Sequence, residues 1–192
     1  IILGLASPIA VMIAFGFNDR KSRSATAWQG FTLRWYGELF AIEGLTEALI
    51  NSLLVAVVST AIVTVIGTML GLALGRYRFR GRGVTNLLIF VAISTPELVM
   101  GASLLSLFVT ANLPRGHVTI IVAHVLFSLA FVVVTVRARV MTLDPSLEEA
   151  ARDLGAGPWD TFRLVTLPAI MPGVLAGAML AFALSIDDYV VT

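Results

Sequence analysis

Three acidic residues stand in otherwise apolar stretches of the sequence: Glu97, Asp187 and Asp188. A carboxylate inside a membrane is costly and usually faces a protein interior or a water-filled cavity. Carboxylates along such a cavity can balance the charge of a cation, so the three residues predict a polar pathway for a positively charged solute. Two plainer alternatives stay open: Glu97 forms only a structural pair, or the two aspartates lie at the level of the outer headgroups.

Motifs for enzyme chemistry are missing from the sequence. It contains no GxxxxGK[ST] phosphate-binding loop, no GxSxG nucleophile elbow and no HExxH zinc pair. Zero cysteines exclude disulfides, cysteine nucleophiles and thiolate metal sites. The two histidines, His117 and His124, are too few for a metal cage, and His124 is interpreted as a packed, hydrogen-bonded residue. We therefore predict a non-catalytic protein without a metal or a cofactor.

The long polar stretch between apolar blocks is residues 149–168, EAARDLGAGPWDTFRLVTLP. An EAA triplet at 149–151 is followed after three residues by Gly155, then after nine more by Val165, and then by a Leu–Pro pair at 167–168. This combination at this spacing is far more specific than an ordinary amphipathic loop.

The local residues predict two short helices in this loop. The first starts either at Asp144, whose side chain can cap it, or with a capping box formed by Ser146 and Glu149. Gly155 supplies a turn with positive φ at no steric cost. A second short helix over 159–165 then runs until the proline of the Leu–Pro pair stops it.

The composition favours a bilayer as the solvent of this chain. Hydrophobic residues make up 58% of it and charged residues 13%, against about 25% charged residues in soluble domains. The net charge of +1 gives no reason to expect nucleic acid as a partner.

Five apolar blocks reach, or nearly reach, the ~20 residues that a spanning helix needs. They are residues 1–17, 48–75, 84–109, 117–136 and about 169 to the end. Only helices and closed barrels satisfy the backbone in lipid, and continuous apolarity favours helices over strands. The predicted fold class is therefore all-α, a multi-pass transmembrane helical bundle forming one domain over 1–192. For the first block, a truncated membrane helix fits better than a signal-peptide core, because no basic segment precedes it.

Basic residues set the predicted orientation. The connection 76–83, RYRFRGRG, has four arginines beside a helix end, and the connection 137–167 has four more. Because Lys and Arg collect in cytoplasmic loops, both connections are predicted to be cytoplasmic. The outward connection 18–47 is rich in aromatic residues, which predicts either anchoring at the membrane surface or reception of a partner protein.

This orientation also orders the three acids. Asp187 and Asp188 lie near the outer mouth and Glu97 lies deeper, so we expect two successive acidic positions. Neighbouring residues on a helix point in different directions, so at most one of the two aspartates faces a pathway squarely.

Small residues mark predicted contacts between helices. Gly67, Gly71 and Gly75 form one GxxxG-type stripe, and Gly173 and Gly177 repeat the spacing in the last block. Such stripes let helix backbones approach closely, so they predict tight packing and no particular function.

The EAA spacing resembles that of the membrane subunits of binding-protein-dependent ABC importers. Val165 stands where that family prefers Ile. The stretches NSLLVAVVSTAIVTVIGTMLGLALGRYRFRGRG, FTLRWYGELF and STPELVMG are similar to the same family. The tail FALSIDDYVVT resembles the PotC-like branch of spermidine/putrescine permeases.

The resemblance implies a fold and a set of roles. The fold would be that of a type I ABC importer permease, normally with six helices, of which a chain incomplete at both ends would cover about five. Residues 137–167 would form a cytoplasmic coupling loop that docks on an ATPase subunit. The implied ATPase-coupling residues are Glu149, Ala150, Ala151, Asp153, Gly155, Leu167 and Pro168. The pathway residues would be Glu97, Asp187 and Asp188.

The resemblance also implies partners and a function. A bacterial cytoplasmic-membrane permease would pair with a homologous second permease, two ABC ATPase subunits and an extracytoplasmic binding protein, surrounded by lipid. Its small-molecule substrate would be a polyamine, with iron, thiamine or phosphonate as alternatives. An ATP-independent secondary transporter or channel would explain the helices and acids but not the EAA spacing. A purely structural membrane anchor would leave Glu97 unexplained.

Overall fold

The computed structural model describes residues 2–20 and 27–188. Within these ranges the regular secondary structure is helical, apart from one isolated antiparallel bridge between Asn18 and Phe31. The all-α prediction is confirmed. The chain divides into two units, residues 1–50 and 51–192.

The described part of the first unit contains two helices, a 3-10 turn and several aromatic residues. Its helices are α1 (Ile2–Phe15) and α2 (Arg34–Glu38), and a 3-10 turn covers Leu39–Ala41. The buried Asn18 contacts residues in and just before α2: its side-chain oxygen accepts the Gln29 N–H at 2.7 Å, and its carbonyl accepts the Trp35 indole N–H at 3.0 Å. The roles predicted for the aromatic residues, anchoring or partner reception, stay predictions.

The second unit holds most of the helical residues. Its helices are α3 (Leu45–Arg76, which begins in the first unit), α4 (Arg82–Ser94), α5 (Glu97–Thr110), α6 (His117–Met141), α7 (Ser146–Asp153), α8 (Pro158–Thr161) and α9 (Leu167–Asp187). A π-helical turn, Phe162–Thr166, joins α8 to α9.

Three helices among the described residues are long and apolar enough to cross a membrane: α3, α6 and the continuous run Pro158–Asp187. A fourth span exists if α4 and α5 count as one, but they meet at 110°. The apolar block 84–109 is therefore two helices that meet at a bend, and not one continuous helix. Thr95 and Pro96 both have extended ψ angles, 127° and 134°, because proline disfavours a helical residue before it and cannot donate a backbone hydrogen bond.

Two further boundaries differ from the prediction. Pro168 does not stop the second loop helix: it sits in the first turn of α9, where its missing N–H is tolerated. The π turn before it lets the N–H of Leu167 reach the carbonyl of Phe162. Helix α6 runs on to Met141, so the loop begins five residues later than the expected 137.

The arginines after position 136 explain this extension of α6. Arg137 donates to the side-chain oxygen of Asn86 at 2.8 Å, and Arg139 donates to the carbonyl of Ala169 at 3.0 Å. Long side chains can cover apolar surface with their stems while their charged ends find polar partners. Two charges therefore remain within the helix instead of ending it.

The glycine stripes are contact surfaces, as predicted. A Cβ at Gly67 would lie 2.6 Å from Val132 Cγ1, and one at Gly75 would lie 2.5 Å from Val140 Cγ1. A Cβ at Gly173 would lie 2.5 Å from Arg139 Cβ. These distances are too short for any larger residue, so α6 is held closely between α3 and α9. The buried core lies at this contact and consists of Val63, Val132, Val136, Val140, Ile170 and Ala181.

Candidate functional site

The EAA-containing loop begins with a side-chain cap on α7. The carboxylate of Asp144 accepts the backbone N–H of Ser146 at 2.9 Å, which decides between the two predicted starts in favour of Asp144. This hydrogen bond lowers the pKa of Asp144 because it stabilises the charged form. The cap is therefore fully formed at neutral pH.

The turn after α7 is a Schellman motif centred on Gly155. Gly155 has φ of +86°, its N–H donates to the Arg152 carbonyl at 2.9 Å, and the Ala156 N–H donates to the Ala151 carbonyl at 3.0 Å. This pair of bonds satisfies carbonyls that the end of a helix otherwise leaves free. The predicted positive-φ turn is confirmed.

Glu148 ties the loop to the end of α3. One of its carboxylate oxygens lies 2.9 Å from Arg76 Nη2 and accepts the Thr166 hydroxyl at 2.8 Å, and the other lies 3.8 Å from Arg152 Nη2. A single, mostly buried carboxylate thus connects α3, α7 and the π turn. We call Arg76, Glu148 and Thr166 the clamp.

The clamp shifts the ionisation of Glu148. Burial raises the pKa of this carboxyl, but the hydrogen bonds from Thr166 and Arg76 and the charges of Arg76 and Arg152 outweigh it, so the net pKa lies below the ordinary value. Sequence reasoning missed Glu148 and chose its neighbour Glu149. The i,i+4 spacing of Glu148 and Arg152 was visible, whereas the contact with Arg76, 72 positions away, carried no sequence signal.

The predicted coupling residues divide between the loop surface and α9. Those that lie exposed on α7 and its turn are Glu149, Ala150, Asp153 and Gly155, while Ala151 is half-buried beside them. Leu167 packs against the core and Pro168 lies in the first turn of α9. The structure therefore gathers five of the seven on one short segment and places the other two at the start of a spanning helix.

Large apolar side chains project from the same loop. Leu154 is 90% exposed, Trp159 67% and Leu164 68%. The Trp159 ring lies 5.7 Å from that of Phe162, which orients it on the surface. Clustered exposed apolar residues beside charged ones are typical of a surface that binds another protein.

The acids of the membrane region form a group rather than two successive positions. Asp188 is buried and Asp187 is exposed, so the two neighbouring side chains point in different directions; the expectation that at most one of them faces a pathway squarely stays a prediction. Glu97 opens α5 directly after the 110° bend, and its carboxyl interacts with that of Asp188 and more weakly with that of Asp187. The expected separation of Glu97 from the aspartates is wrong, because the bend at Thr95–Pro96 redirects the chain.

His124 belongs to the same polar group. Its Nδ1 lies 2.7 Å from the Ser185 hydroxyl, and its Nε2 lies 3.9 Å from an Asp188 carboxylate oxygen. The Ser185 hydroxyl lies 3.3 Å from that of Ser59, so α3, α6 and α9 all contribute. The interpretation of His124 as packed and hydrogen-bonded is confirmed. Within the described part of the chain, no group of three or more His, Cys, Asp or Glu residues could hold a metal ion.

Comparison with known proteins gives matches over most of the chain. Residues 67–192 match the family described as binding-protein-dependent transport system inner membrane component. The spermidine/putrescine transport system permease protein PotC of Escherichia coli (strain K12) is 42% identical over 185 residues, covering 96% of this chain and 69% of that protein.

Two further relatives and one solved structure extend the comparison. PotC of Haemophilus influenzae is 37% identical, with 96% of this chain and 71% of that protein covered. The putrescine transport system permease protein PotI of Escherichia coli (strain K12) is 39% identical, with 97% and 68% covered. A crystal structure of an amino acid ABC transporter with histidines shares the fold, with a TM-score of 0.53 and 23% identity over 78% of this chain and 72% of that one.

Proposed function

The chain belongs to the family of binding-protein-dependent transport system inner membrane components, and from this premise we propose that it imports a polyamine. It is a multi-pass component of the inner membrane, and the ATPase of such a system is a separate subunit. Relatives whose names specify spermidine and putrescine match 96–97% of it. We propose the identity of its solute, its partner subunits and the residues that contact the solute or the ATPase.

One observation carries the choice of substrate. Glu97 interacts with the buried Asp188 at the bend between α4 and α5. Two interacting carboxylates in a membrane region repel unless a cation or a proton compensates them. A polyamine offers several ammonium groups at intervals along a flexible chain. We propose that one ammonium group is held between Glu97 and Asp188 during passage, while the exposed Asp187 guides the next one.

The EAA loop supplies the connection to ATP. We propose that the exposed face of α7 and its Gly155 turn receives an ATPase subunit, with Leu154 and Trp159 as apolar contacts. The clamp would transmit movement of the loop to α3, and the π turn Phe162–Thr166 would transmit it to α9. The remaining partners are a homologous second permease, a second ATPase subunit and an extracytoplasmic binding protein.

The solute is tested by uptake. The complete complex should be expressed in a bacterium that lacks its own polyamine importers, and labelled spermidine, putrescine, thiamine, phosphonate and ferric iron should be offered separately. We expect accumulation of a polyamine and of none of the others. Uptake of another solute instead would refute the polyamine assignment while leaving the family intact.

The role of the acids is tested by neutral substitutions. Glu97→Gln keeps the shape and hydrogen bonding of the side chain but removes its charge, so it should impair polyamine uptake while leaving complex assembly and basal ATPase activity largely intact. Leu105→Ala, an exposed position on the same helix, is the matched control. Native uptake by Glu97→Gln, Asp187→Asn and Asp188→Asn alike would show that the acids are structural.

A further inference from the structure

His124 is a buried member of the membrane polar group, and neither a sequence motif nor the acid pair explains its presence. It is 1% exposed and lies on α6, between two helices packed through glycines. A buried polar side chain costs free energy unless its hydrogen bonds are made. An apolar residue of similar volume would fill the same space without that cost, so the ring nitrogens point to a role.

The two ring nitrogens face different partners. Nδ1 lies 2.7 Å from the Ser185 hydroxyl, a hydrogen-bond distance, and Nε2 lies 3.9 Å from Asp188 Oδ2. When the Ser185 hydroxyl donates to Nδ1, the neutral ring carries its proton on Nε2, the nitrogen that faces the carboxylate. In that arrangement Ser185 fixes both the orientation of the ring and the position of its proton.

Asp188 needs such a constraint because of its place in the chain. It follows the last residue of α9, with ψ of 112°, so the regular helix no longer dictates where its side chain points. Its side chain is nonetheless 1% exposed. The contact with His124 lies on the side of α6, while the interaction with Glu97 comes from α5.

We propose that His124 is a positioning residue for the transported cation: with Ser185 it holds the Asp188 carboxylate facing Glu97, so that both carboxylates meet the same ammonium group. The proposal rests on polyamine import as proposed above. His124 itself does not touch the solute. Its effect on affinity passes through Asp188 and disappears when Asp188 carries no charge.

Two substitutions separate the two nitrogens. The amide group of His124→Asn reaches the position of Nδ1, and its oxygen can accept from the Ser185 hydroxyl, so this variant keeps a partner for Ser185 and loses the contact with Asp188. The amide nitrogen of His124→Gln reaches the position of Nε2 and can still face Asp188. We expect His124→Asn to raise the KM for spermidine about tenfold, within the range of measured coupling between contacting residues, with little change in maximal rate. His124→Gln should stay within about threefold of the native KM.

A double-mutant cycle distinguishes positioning from a merely structural role. The KM for spermidine is measured in the complete complex for His124→Asn alone, combined with Asp188→Asn, and combined with Asp187→Asn. The tenfold effect should vanish in the Asp188→Asn background and persist in the Asp187→Asn background. The quantity of assembled complex and its basal ATPase activity are recorded for every variant.

Each outcome has one meaning. An equal effect of His124→Asn in both backgrounds, or a loss of assembled complex in both histidine variants, overturns the positioning role and makes His124 a packing residue. If the native complex takes up no polyamine, the proposed function fails, and the inference fails with it. Native polyamine uptake together with additive substitutions refutes the inference alone.

Discussion

Replacing Gly155 tests the turn that joins the two short helices of the loop. Its φ is +86°, and a Cβ built there would find no heavy atom within 4 Å. A substitution therefore meets no clash, and its cost is that of holding an L-residue in the left-handed region, roughly 1–2 kcal/mol. That cost shifts the equilibrium between the formed and the open turn by roughly 5- to 30-fold.

The identity of the new side chain sorts the possible causes. Asn tolerates positive φ better than other residues, so Gly155→Asn should remain close to native. Gly155→Ala should lose a measurable fraction of ATP-driven uptake, and Gly155→Leu should lose most, because it adds an apolar side chain to the proposed docking surface. The assays are co-purification with the ATPase subunit and uptake divided by the quantity of inserted protein. The quantity of inserted protein itself should be the same in all variants.

The order of the three variants is the decisive observation. Native coupling in Gly155→Leu would refute the assignment of Gly155 to the surface that docks on the ATPase. Equal losses in Gly155→Asn and Gly155→Ala would show that the chemistry of the side chain, and not the backbone angle, matters at this position.

Three further predictions concern the clamp, the helix packing and the orientation. Glu148→Gln should loosen the loop by about 2 kcal/mol, seen as faster limited proteolysis. Because the pKa of Glu148 is lowered, its contribution is present above the ordinary value of 4.5 and is lost only as the pH falls below it, so the substitution should act equally at all pH values above 4.5. Gly71→Leu should lower the thermal unfolding midpoint, because overpacking costs about 1–3 kcal/mol of folding stability. Gly83→Leu should leave the midpoint unchanged, because no atom lies near its Cβ position. A cysteine at Thr142 should resist an impermeant thiol reagent added outside intact cells and one at Asn112 should react; the reverse pattern would overturn the topology.

Composition and short-range spacing predicted the parts of the fold that depend on local physics. Continuous apolar blocks identified the helices, because lipid leaves few other ways to satisfy the backbone. Gly155 predicted a turn with positive φ, because glycine is the residue that adopts positive φ without steric cost. The glycine stripes marked close helix contacts, which the short distances from Gly67 to Val132 and from Gly75 to Val140 bear out.

Long-range geometry could not be predicted in the same way. The angle of 110° between α4 and α5 depends on packing that no local pattern encodes, and this bend brings Glu97 into interaction with Asp188. Pro168 predicted the end of a helix, but it lies in the first turn of α9, directly after a π turn. The contacts of Glu148 with Arg76 and Thr166 and of His124 with Ser185 and Asp188 join residues outside the same helix, and they had no signal in the sequence.

ATP-dependent import of a polyamine tests the central claim most directly. The complete complex is reconstituted into liposomes with labelled spermidine and the binding protein on one side and ATP on the other. We predict accumulation that requires ATP and that stops when the ATPase partner carries a substitution in its phosphate-binding loop. Spermidine entry that persists without ATP or without a functional ATPase would contradict the account and favour a channel or secondary transporter.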